Sequence, residues 1–233
     1  FEGASELGAD WIELDVQQTK DGEIIVMHGT SFKRTTGLNK NAWELTWEEV
    51  TGLDAGSFFG PDYAGEGIPR LGQVVEFARD HLIKLNIELK PTGHETEFEK
   101  GVVDIVMEYD FLEQCVITSQ VYSVLERVKD YNPEVTTVYV MSLAYGNITD
   151  LEAADHFSVE AANVTENLVD RVHAQGKQLY AWTVNTQASI RRMVELGVDN
   201  VITDNVALAK ETIYAEKTSD LISEYIKLLE KIF

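Results

Sequence analysis

Residues 11–16 read WIELDV and residues 85–90 read LNIELK, and these two short stretches decide the fold of the chain. In both, aliphatic side chains alternate with polar or charged ones, so each strand has an apolar face and a mixed, largely charged face. Strands of a doubly wound sheet are usually apolar on both faces, whereas the inner face of a closed (β/α)8 barrel accepts polar groups near its carboxyl-terminal mouth. The alternation therefore favours the TIM barrel.

The same strand pattern recurs along the whole chain and alternates with helical segments. The strand candidates are WIELDV, KLNIELK, CVITS, TTVYVM, HFSVEAA, LYAWTV and NVITD. The helical candidates are GQVVEFARDHL, EKGVVDIVMEYD, VYSVLERVKDY, NLVDRVHAQG and ASIRRMVELG. This order predicts a parallel α/β fold, and no GxGxxG or GxxxxGK[ST] motif follows the first strand to support a nucleotide-binding sheet.

We predict one domain over residues 1–233, with an irregular insertion at about residues 21–68. A C-terminal amphipathic helix is predicted at about residues 219–233, because apolar side chains recur there at helical spacing. Its apolar face could pack on the barrel or form a self-association surface, and the sequence does not choose between these two alternatives.

Charge and cysteine content exclude several classes of partner. Forty acidic residues against nineteen basic ones give a formal net charge of −21, which argues against a nucleic acid or an anionic membrane as the main partner. The single cysteine, Cys115, excludes an internal disulfide and a cysteine-rich zinc site. No stretch reaches the ~20 consecutive apolar residues of a membrane span, so we expect a soluble domain that acts on a small molecule.

Three carboxylates on the mixed faces form a candidate metal site. Glu13 and Asp15 lie on one predicted strand and Glu88 on the next, where they can converge at the mouth as hard oxygen ligands. Such ligands suit one divalent cation, Mg²⁺ or Ca²⁺, far better than zinc. Lys90 shares the face of Glu88 and could hold an anionic oxygen of a substrate. The alternative is a buried salt-bridge cluster in which Lys90 merely neutralises the carboxylates.

Five motifs give the chain a family resemblance. ELGADWIELDVQQTKDG, IIVMH with RTTG, NIELKP, AWTVN and ELGVDNVITDN resemble, in order and spacing, the glycerophosphodiester phosphodiesterases. The chain is similar in particular to catalytic domains that some Gram-positive bacteria carry behind a multi-helix membrane region. The resemblance implies a (β/α)8 barrel with a small insertion after the second barrel strand. It also implies metal-dependent hydrolysis of glycerophosphodiesters to glycerol 3-phosphate and an alcohol, a reaction of lipid and glycerol metabolism.

The resemblance also assigns roles and a location. Glu13, Asp15 and Glu88 match the metal-binding carboxylates, His28 matches one of two acid/base histidines, and Lys90 matches the basic residue near the phosphate. An imidazole titrates near neutrality, so it can move a proton to or from the leaving oxygen. An upstream membrane domain would place the full-length protein at the membrane or facing outward, and without one we expect a cytoplasmic protein.

Other residues have weaker claims to the substrate. Trp182 in AWTVN could form an apolar wall beside the glycerol or head group, or could be a core residue. Glu160 ends a predicted strand and could meet the polar end of the substrate. Arg34 in RTTG could reach a phosphate or pin the insertion, whereas Asp199 and Asp204 are expected to fix the last βα loop. The remaining histidines, His81, His94, His156 and His173, are expected to be surface or locally hydrogen-bonded residues.

Three departures from the family pattern leave alternatives open. Gly29 stands where an Asp usually follows the histidine, and Val206 stands where a Pro is usual. No His-Arg-Gly strand precedes Phe1, so seven strands would leave the edges of WIELDV and NVITD unpaired and the chain inactive by itself. A non-catalytic glycerophosphoryl-binding or interaction module is therefore one alternative. Another is a barrel phosphodiesterase resembling sphingomyelinase D, although TKDG and WTVN favour the glycerophosphodiesterases.

Overall fold

The computed structural model describes residues 1–144, 146–216 and 218, and the predicted helix at about 219–233 lies outside the described residues. The strands are β1 (Trp11–Gln18), β2 (Ile24–Val26), β3 (Lys84–Leu89), β4 (Cys115–Ser119), β5 (Thr137–Met141), β6 (His156–Glu160), β7 (Leu179–Trp182) and β8 (Asn200–Val201). The α-helices are α1 (Glu2–Glu6), α2 (Lys33–Thr36), α3 (Trp47–Val50), α4 (Leu71–Asp80), α5 (Phe98–Glu108), α6 (Tyr122–Tyr131), α7 (Glu166–His173) and α8 (Gln187–Glu195). Residues 206–216 are also helical.

These elements confirm the strand and helix order expected from the sequence. All seven predicted strands and all five predicted helical segments fall on strands and helices of the structure. Within the part of the chain that the structure describes, every helix is too short or too polar to span a lipid bilayer. The chain divides into two compact units, a first unit of Asp10–Tyr139 and a second unit of Phe1–Ala9 with Val140–Phe233.

The first unit contains a sheet in which the strands β1, β3, β4 and β5 run parallel. In the register of β1 and β3, Glu13 lies opposite Asn86 and Asp15 lies opposite Glu88. Because paired residues of parallel neighbours project to the same side of the sheet, this register brings the acidic side chains together. On the other face, the aliphatic residues of the two strands are buried, for example Val16 and Ile87 at 0% exposure.

The strand β2 was not predicted. It pairs with β1, whose edge was expected to be unpaired. It pairs antiparallel with the end of β1, where Val16 lies opposite Val26 and Gln18 opposite Ile24. The backbone N–H of Met27 also donates to the carbonyl of Asp15 at 2.8 Å. The expectation that WIELDV exposes an unpaired edge is therefore wrong at this end of the strand, because the chain folds back and fills it.

The insertion has a small core of its own. Seven buried side chains, from Ile25 to Ile68, form an apolar cluster against which Leu53 and Ala55 also pack. The start of α3 is fixed by a capping box, in which Thr46 and Glu49 bond each other's backbone N–H groups. This segment was predicted to be irregular, but it is folded by local apolar packing and capping.

Helices cover the first unit through amphipathic faces. In α5, Phe98, Val102 and Val106 recur at four-residue spacing, and all are buried. In α4, the buried face contains Leu71, Val74, Val75 and Ala78.

The second unit repeats the strand–helix pattern. Its strands run in the order β6, β7, β8 and pair parallel to one another. Arg192 on α8 donates to the carbonyl oxygen of Ala161 at 2.8 Å, which ties that helix to the segment after β6. Glu160 at the end of β6 lies opposite Trp182 at the end of β7.

Candidate metal centre and active site

Three carboxylates from β1 and β3 form one cluster in the first unit. Glu13, Asp15 and Glu88 each offer an oxygen atom, and these oxygens all lie within 4.8 Å of one another. Glu13 is exposed, whereas Glu88 is buried. The cluster predicted from strand alternation is therefore present, and it opens to solvent on the side of Glu13.

Lys90 bridges two members of this carboxylate cluster. Its ammonium nitrogen lies 2.6 Å from Glu88 and 3.1 Å from Asp15. Burial raises the pKa of the Glu88 carboxyl; hydrogen bonds from Lys90 and Gln120 oppose that rise, and the charge of Asp15 adds to it. Burial lowers the pKa of Lys90, but its hydrogen bond to Glu88 and the charges of Glu88 and Asp15 outweigh burial and raise the pKa. The ammonium is therefore held in its charged form.

The donor chemistry of the cluster fits a hard divalent cation. Three carboxylates and one ammonium carry a formal charge of −2 when all are ionised, which one divalent cation would balance. Every candidate ligand atom is a carboxylate oxygen, as Mg²⁺ and Ca²⁺ prefer. Asn86 lies opposite Glu13, and its Oδ1 is buried with no hydrogen-bond partner among the described residues. An unused acceptor beside the carboxylates supports a ligand-binding role for this site.

His28 follows β2 and is exposed. The backbone beside it is held by Gln17, whose Nε2 donates to the carbonyls of Met27 at 3.0 Å and Gly29 at 2.6 Å. Gln17 is fully buried and comes two residues after Asp15 on β1. The side chain of Gln17 therefore ties the His28 segment to the strand that carries Glu13 and Asp15.

Three polar residues near the carboxylates were missed as site residues. Gln17 continues the alternation of Glu13 and Asp15, and this signal was present in the sequence. Asn86 shares the face of Glu88, whereas Gln120 follows β4 and donates to Glu88 at 3.2 Å. The side-chain hydrogen bonds of these residues depend on register and loop position, which strand alternation does not specify.

Glu160 and Trp182 are adjacent to each other in the second unit. They end β6 and β7, and they lie opposite each other in the parallel register. The indole Nε1 of Trp182 is buried with no hydrogen-bond partner among the described residues. Asn163 reaches Glu160 only weakly, at 3.5 Å.

Other polar candidates have local structural roles. The guanidinium of Arg34 lies 5.5 Å from the ring centroid of Phe58, which holds it against the insertion. Asp199 accepts from the backbone N–H of Leu179 at 2.8 Å, and Asp204 accepts from Asn185 at 2.6 Å. The bond of Asp204 agrees with the expectation that it fixes the last βα loop, whereas Asp199 holds the start of β7 and not that loop.

The remaining histidines are bonded or stacked locally. His81 contacts the carbonyl of Phe77 at 2.8 Å, and His94 stacks on Trp43 with ring centroids 4.4 Å apart. The Nδ1 of His156 accepts from the backbone of Gln178 at 3.1 Å, and burial lowers the pKa of its imidazole. The imidazole of His173 lies 2.9 Å from Asp199.

A groove of about 650 Å³ lies elsewhere in the first unit. Its walls include Gln18, Trp43, His94 and Lys100, and none of its lining residues belongs to the carboxylate cluster. The carboxylate cluster, rather than this groove, is the candidate site, because the cluster contains convergent charged groups.

The sequence profile described as "Glycerophosphoryl diester phosphodiesterase family" matches residues 1–208. The chain belongs to this family. A glycerophosphodiester phosphodiesterase of Caldanaerobacter subterraneus is 36% identical over 212 residues, which cover 88% of this chain and 86% of that relative. A glycerophosphodiester phosphodiesterase of Bacillus subtilis is 30% identical over 227 residues, covering 88% of this chain and 76% of the relative. The chain is thus a member of a phosphoric diester hydrolase family, and the recognition from sequence motifs is confirmed.

Solved structures of the family confirm the predicted fold class. An Oleispira antarctica phosphodiesterase, determined in complex with its product sn-glycerol-3-phosphate, is 26% identical and aligns with a TM-score of 0.84. The match covers 90% of this chain and 87% of that one. A glycerophosphodiester phosphodiesterase of Agrobacterium tumefaciens, 21% identical with a TM-score of 0.76 over 89% of each chain, supports the fold alone.

Proposed function

We propose that this chain hydrolyses glycerophosphodiesters to glycerol 3-phosphate and an alcohol, with one divalent cation, Mg²⁺ or Ca²⁺, held by Glu13, Asp15 and Glu88. The observation that carries the proposal is the convergence of these carboxylates within 4.8 Å in a chain of this family. The product complex of the Oleispira relative supports a glycerophosphodiester as substrate class. When bound, the cation would supply Lewis-acid polarisation of the phosphoryl group.

Charge stabilisation and proton transfer would then be carried out by residues of the chain. Lys90 would place a positive charge beside the phosphate, since its ammonium already lies between Asp15 and Glu88. Fixed positive charge of this kind stabilises negative charge that develops on phosphoryl oxygens. His28 would move a proton to or from the leaving oxygen, with Gln17 holding its backbone segment.

Glu160 and Trp182 are proposed as substrate-contacting residues. Their pairing at the ends of β6 and β7 supports a joint role, and the indole Nε1 offers a buried donor that has no partner among the described residues. We further propose, from the resemblance to Gram-positive members, a single catalytic domain in a membrane-associated protein that works on lipid-derived glycerophosphodiesters.

Calorimetric titration with Mg²⁺ and with Ca²⁺ tests the metal site directly, without depending on turnover. We expect one ion per chain, with affinity at least tenfold weaker in Asp15→Asn. A matched control is Glu97→Gln, which removes an exposed carboxylate outside the cluster. Equal binding by wild type and Asp15→Asn would refute the proposed ligands and leave the salt-bridge interpretation.

Turnover is measured separately as glycerol 3-phosphate release from glycerophosphocholine and glycerophosphoethanolamine, with added metal and with a chelator. Release that requires metal and falls in Asp15→Asn is the expected result. Metal binding without release from either substrate would favour a non-catalytic glycerophosphoryl-binding module instead.

A further inference from the structure

The insertion exposes three aromatic rings on one loop, residues 54–66, which we call the aromatic loop. Phe58 is 49% exposed, Phe59 is 73% exposed and Tyr63 is 50% exposed. The rings contact one another edge to face, with centroids 6.2 Å apart for the phenylalanine pair and 5.1 Å apart for Phe59 and Tyr63. The three rings thus form one contiguous apolar patch, and the largest such patch of a monomeric protein is often a functional surface.

The backbone of the aromatic loop is tightly built. The carboxylate of Asp54 accepts hydrogen bonds from the backbone N–H groups of Gly56 and Ser57, each at 2.9 Å, and of Gly65 at 3.1 Å. At Gly56 a Cβ atom would lie 2.0 Å from the carbonyl oxygen of Tyr63, so a larger residue would not fit there. The rings are therefore presented by a preset backbone, which lowers the entropy cost of binding through them.

The base of the loop joins the folded part of the insertion. Leu53 and Ala55 pack against its apolar core. The guanidinium of Arg34 lies 5.5 Å from the Phe58 centroid, which places one cation beside the rings. The tip thus combines apolar rings with a basic group that can contact a phosphate.

The small area of the patch favours a lipid bilayer over a protein as its binding partner. An aromatic side chain has about 200 Å² to bury, so rings that are half to three-quarters exposed offer roughly 350 Å² in total. A stable protein interface needs about 800 Å² per partner, and the patch by itself falls well short of that. Aromatic side chains at the boundary of a bilayer need no matched surface, because the lipids adapt to them.

The net charge of the chain favours a zwitterionic membrane over an anionic one. A formal net charge of −21 opposes approach to an anionic membrane, whereas a zwitterionic surface carries no net charge to repel it. The interfacial region of such a membrane offers phosphate groups for Arg34 and apolar chains for the rings.

We propose that the aromatic loop inserts Phe58, Phe59 and Tyr63 into the interfacial region of a zwitterionic phospholipid membrane. Binding is an attachment step that stands apart from hydrolysis, so it requires neither the metal nor His28. If the proposed function also holds, the loop keeps the hydrolase at the surface from which lipid-derived glycerophosphodiesters are released.

Flotation of the chain with phosphatidylcholine vesicles tests the attachment. We expect partition of the wild type onto vesicles, and at least a tenfold weaker partition for the double variant Phe58→Ser/Phe59→Ser. The matched control is Leu82→Ser, which removes an apolar side chain that is 88% exposed elsewhere in the same unit. The control should stay within twofold of wild type. Circular dichroism of all three proteins checks that the variants are folded.

Depth is measured by replacing Phe59 with tryptophan and adding bromine-labelled phosphatidylcholine. Fluorescence quenching should exceed that of Leu82→Trp, whose indole would remain in water. Absence of wild-type flotation, or equal flotation of the double variant, would overturn the proposal. Stronger binding to phosphatidylserine vesicles than to phosphatidylcholine would overturn its charge argument.

Two further measurements separate lipid attachment from self-association and from hydrolysis. A concentration-dependent dimer in sedimentation velocity that the double variant abolishes would assign the patch to a second copy of the chain and refute the lipid proposal. Turnover of soluble glycerophosphocholine should be equal in wild type and double variant. If neither protein hydrolyses glycerophosphocholine, the result counts against the proposed function. The flotation result would still decide the lipid proposal by itself.

Discussion

Replacing Gln17 with leucine tests how the proposed acid/base segment is positioned. The side chain is fully buried, and its Nε2 donates to the carbonyls of Met27 at 3.0 Å and Gly29 at 2.6 Å. Leucine has a similar size but no donor, so the substitution removes these two bonds, and the weaker one to the carbonyl of His28 at 3.4 Å, without opening a large cavity. We expect the segment that carries His28 to lose its attachment to β1.

The expected loss of stability follows from these contacts. A hydrogen bond contributes about 0.5–1.5 kcal/mol net, so the two bonds together contribute ~1–3 kcal/mol to the free energy of unfolding. The Oε1 of Gln17 is buried with no partner among the described residues, and its removal offsets part of that loss. We therefore expect a decrease of ~1–2 kcal/mol, or a fall in Tm of roughly 2–8 °C. A shift of the histidine by about 1 Å would lower kcat by ~10²-fold.

Gln18→Leu is the matched control for this substitution. Gln18 is also buried, and it exchanges two hydrogen bonds with the backbone of Thr96, at 3.0 and 2.8 Å, on the opposite face of β1. Both variants should lose similar stability in urea titrations, but kcat should fall in Gln17→Leu alone, with metal affinity by calorimetry retained. If Gln17→Leu lost stability but kept its kcat, or if both variants lost kcat equally, the positioning argument would be refuted.

Three further outcomes are expected. Lys90→Met removes an ammonium that repels an incoming cation, so calorimetry should show tighter Mg²⁺ binding while kcat/KM falls by roughly 10²-fold; unchanged affinity would contradict this. Hydrogen bonds from Ser57 first, and then from Gly65 and Gly56, hold the pKa of Asp54 well below its ordinary value of 3.8. This lowered pKa stabilises the aromatic loop above that value, and the stabilisation is lost as the pH falls below it. The protection of the amides of residues 54–66, measured as their exchange rate relative to the intrinsic rate at the same pH, should therefore fall in acid, and less so in Asp54→Asn. Burial raises the pKa of the Cys115 thiol to about 12, so a disulfide reagent at pH 8 should modify it ~10²-fold more slowly in the native chain than in urea.

Strand alternation was sufficient to predict the carboxylate cluster. The period of two placed Glu13 and Asp15 on one face of β1, and parallel neighbours then brought Glu88 alongside with little freedom of register. The same rule predicted which aliphatic residues are buried on the other face. These features depend on local geometry that every parallel sheet shares.

The support around His28 could not be predicted in the same way. β2 is three residues long, too short for a periodic signal, and it lies in a segment that was predicted to be irregular. Its antiparallel return places the carbonyls of Met27 and Gly29 within reach of Gln17. A side chain that bonds to returning backbone is determined by tertiary structure, and neither residue type nor spacing encodes it.

The salt-bridge and metal interpretations of the cluster differ in how Lys90 uses its hydrogen-bond donors. An ammonium has three donors, and the geometry directs it toward Asp15 at 3.1 Å and Glu88 at 2.6 Å, which leaves capacity for one more acceptor. In the salt-bridge interpretation, one lysine faces the two carboxylates that it contacts, so a net negative charge remains beside buried Glu88. A divalent cation held by Glu13, Asp15 and Glu88 would supply the missing positive charge, and the remaining donor of Lys90 could then bind an anionic phosphoryl oxygen. The pairing of Lys90 with the carboxylates is thus compatible with catalysis, because the contacts that orient its ammonium also hold it in place for the phosphate.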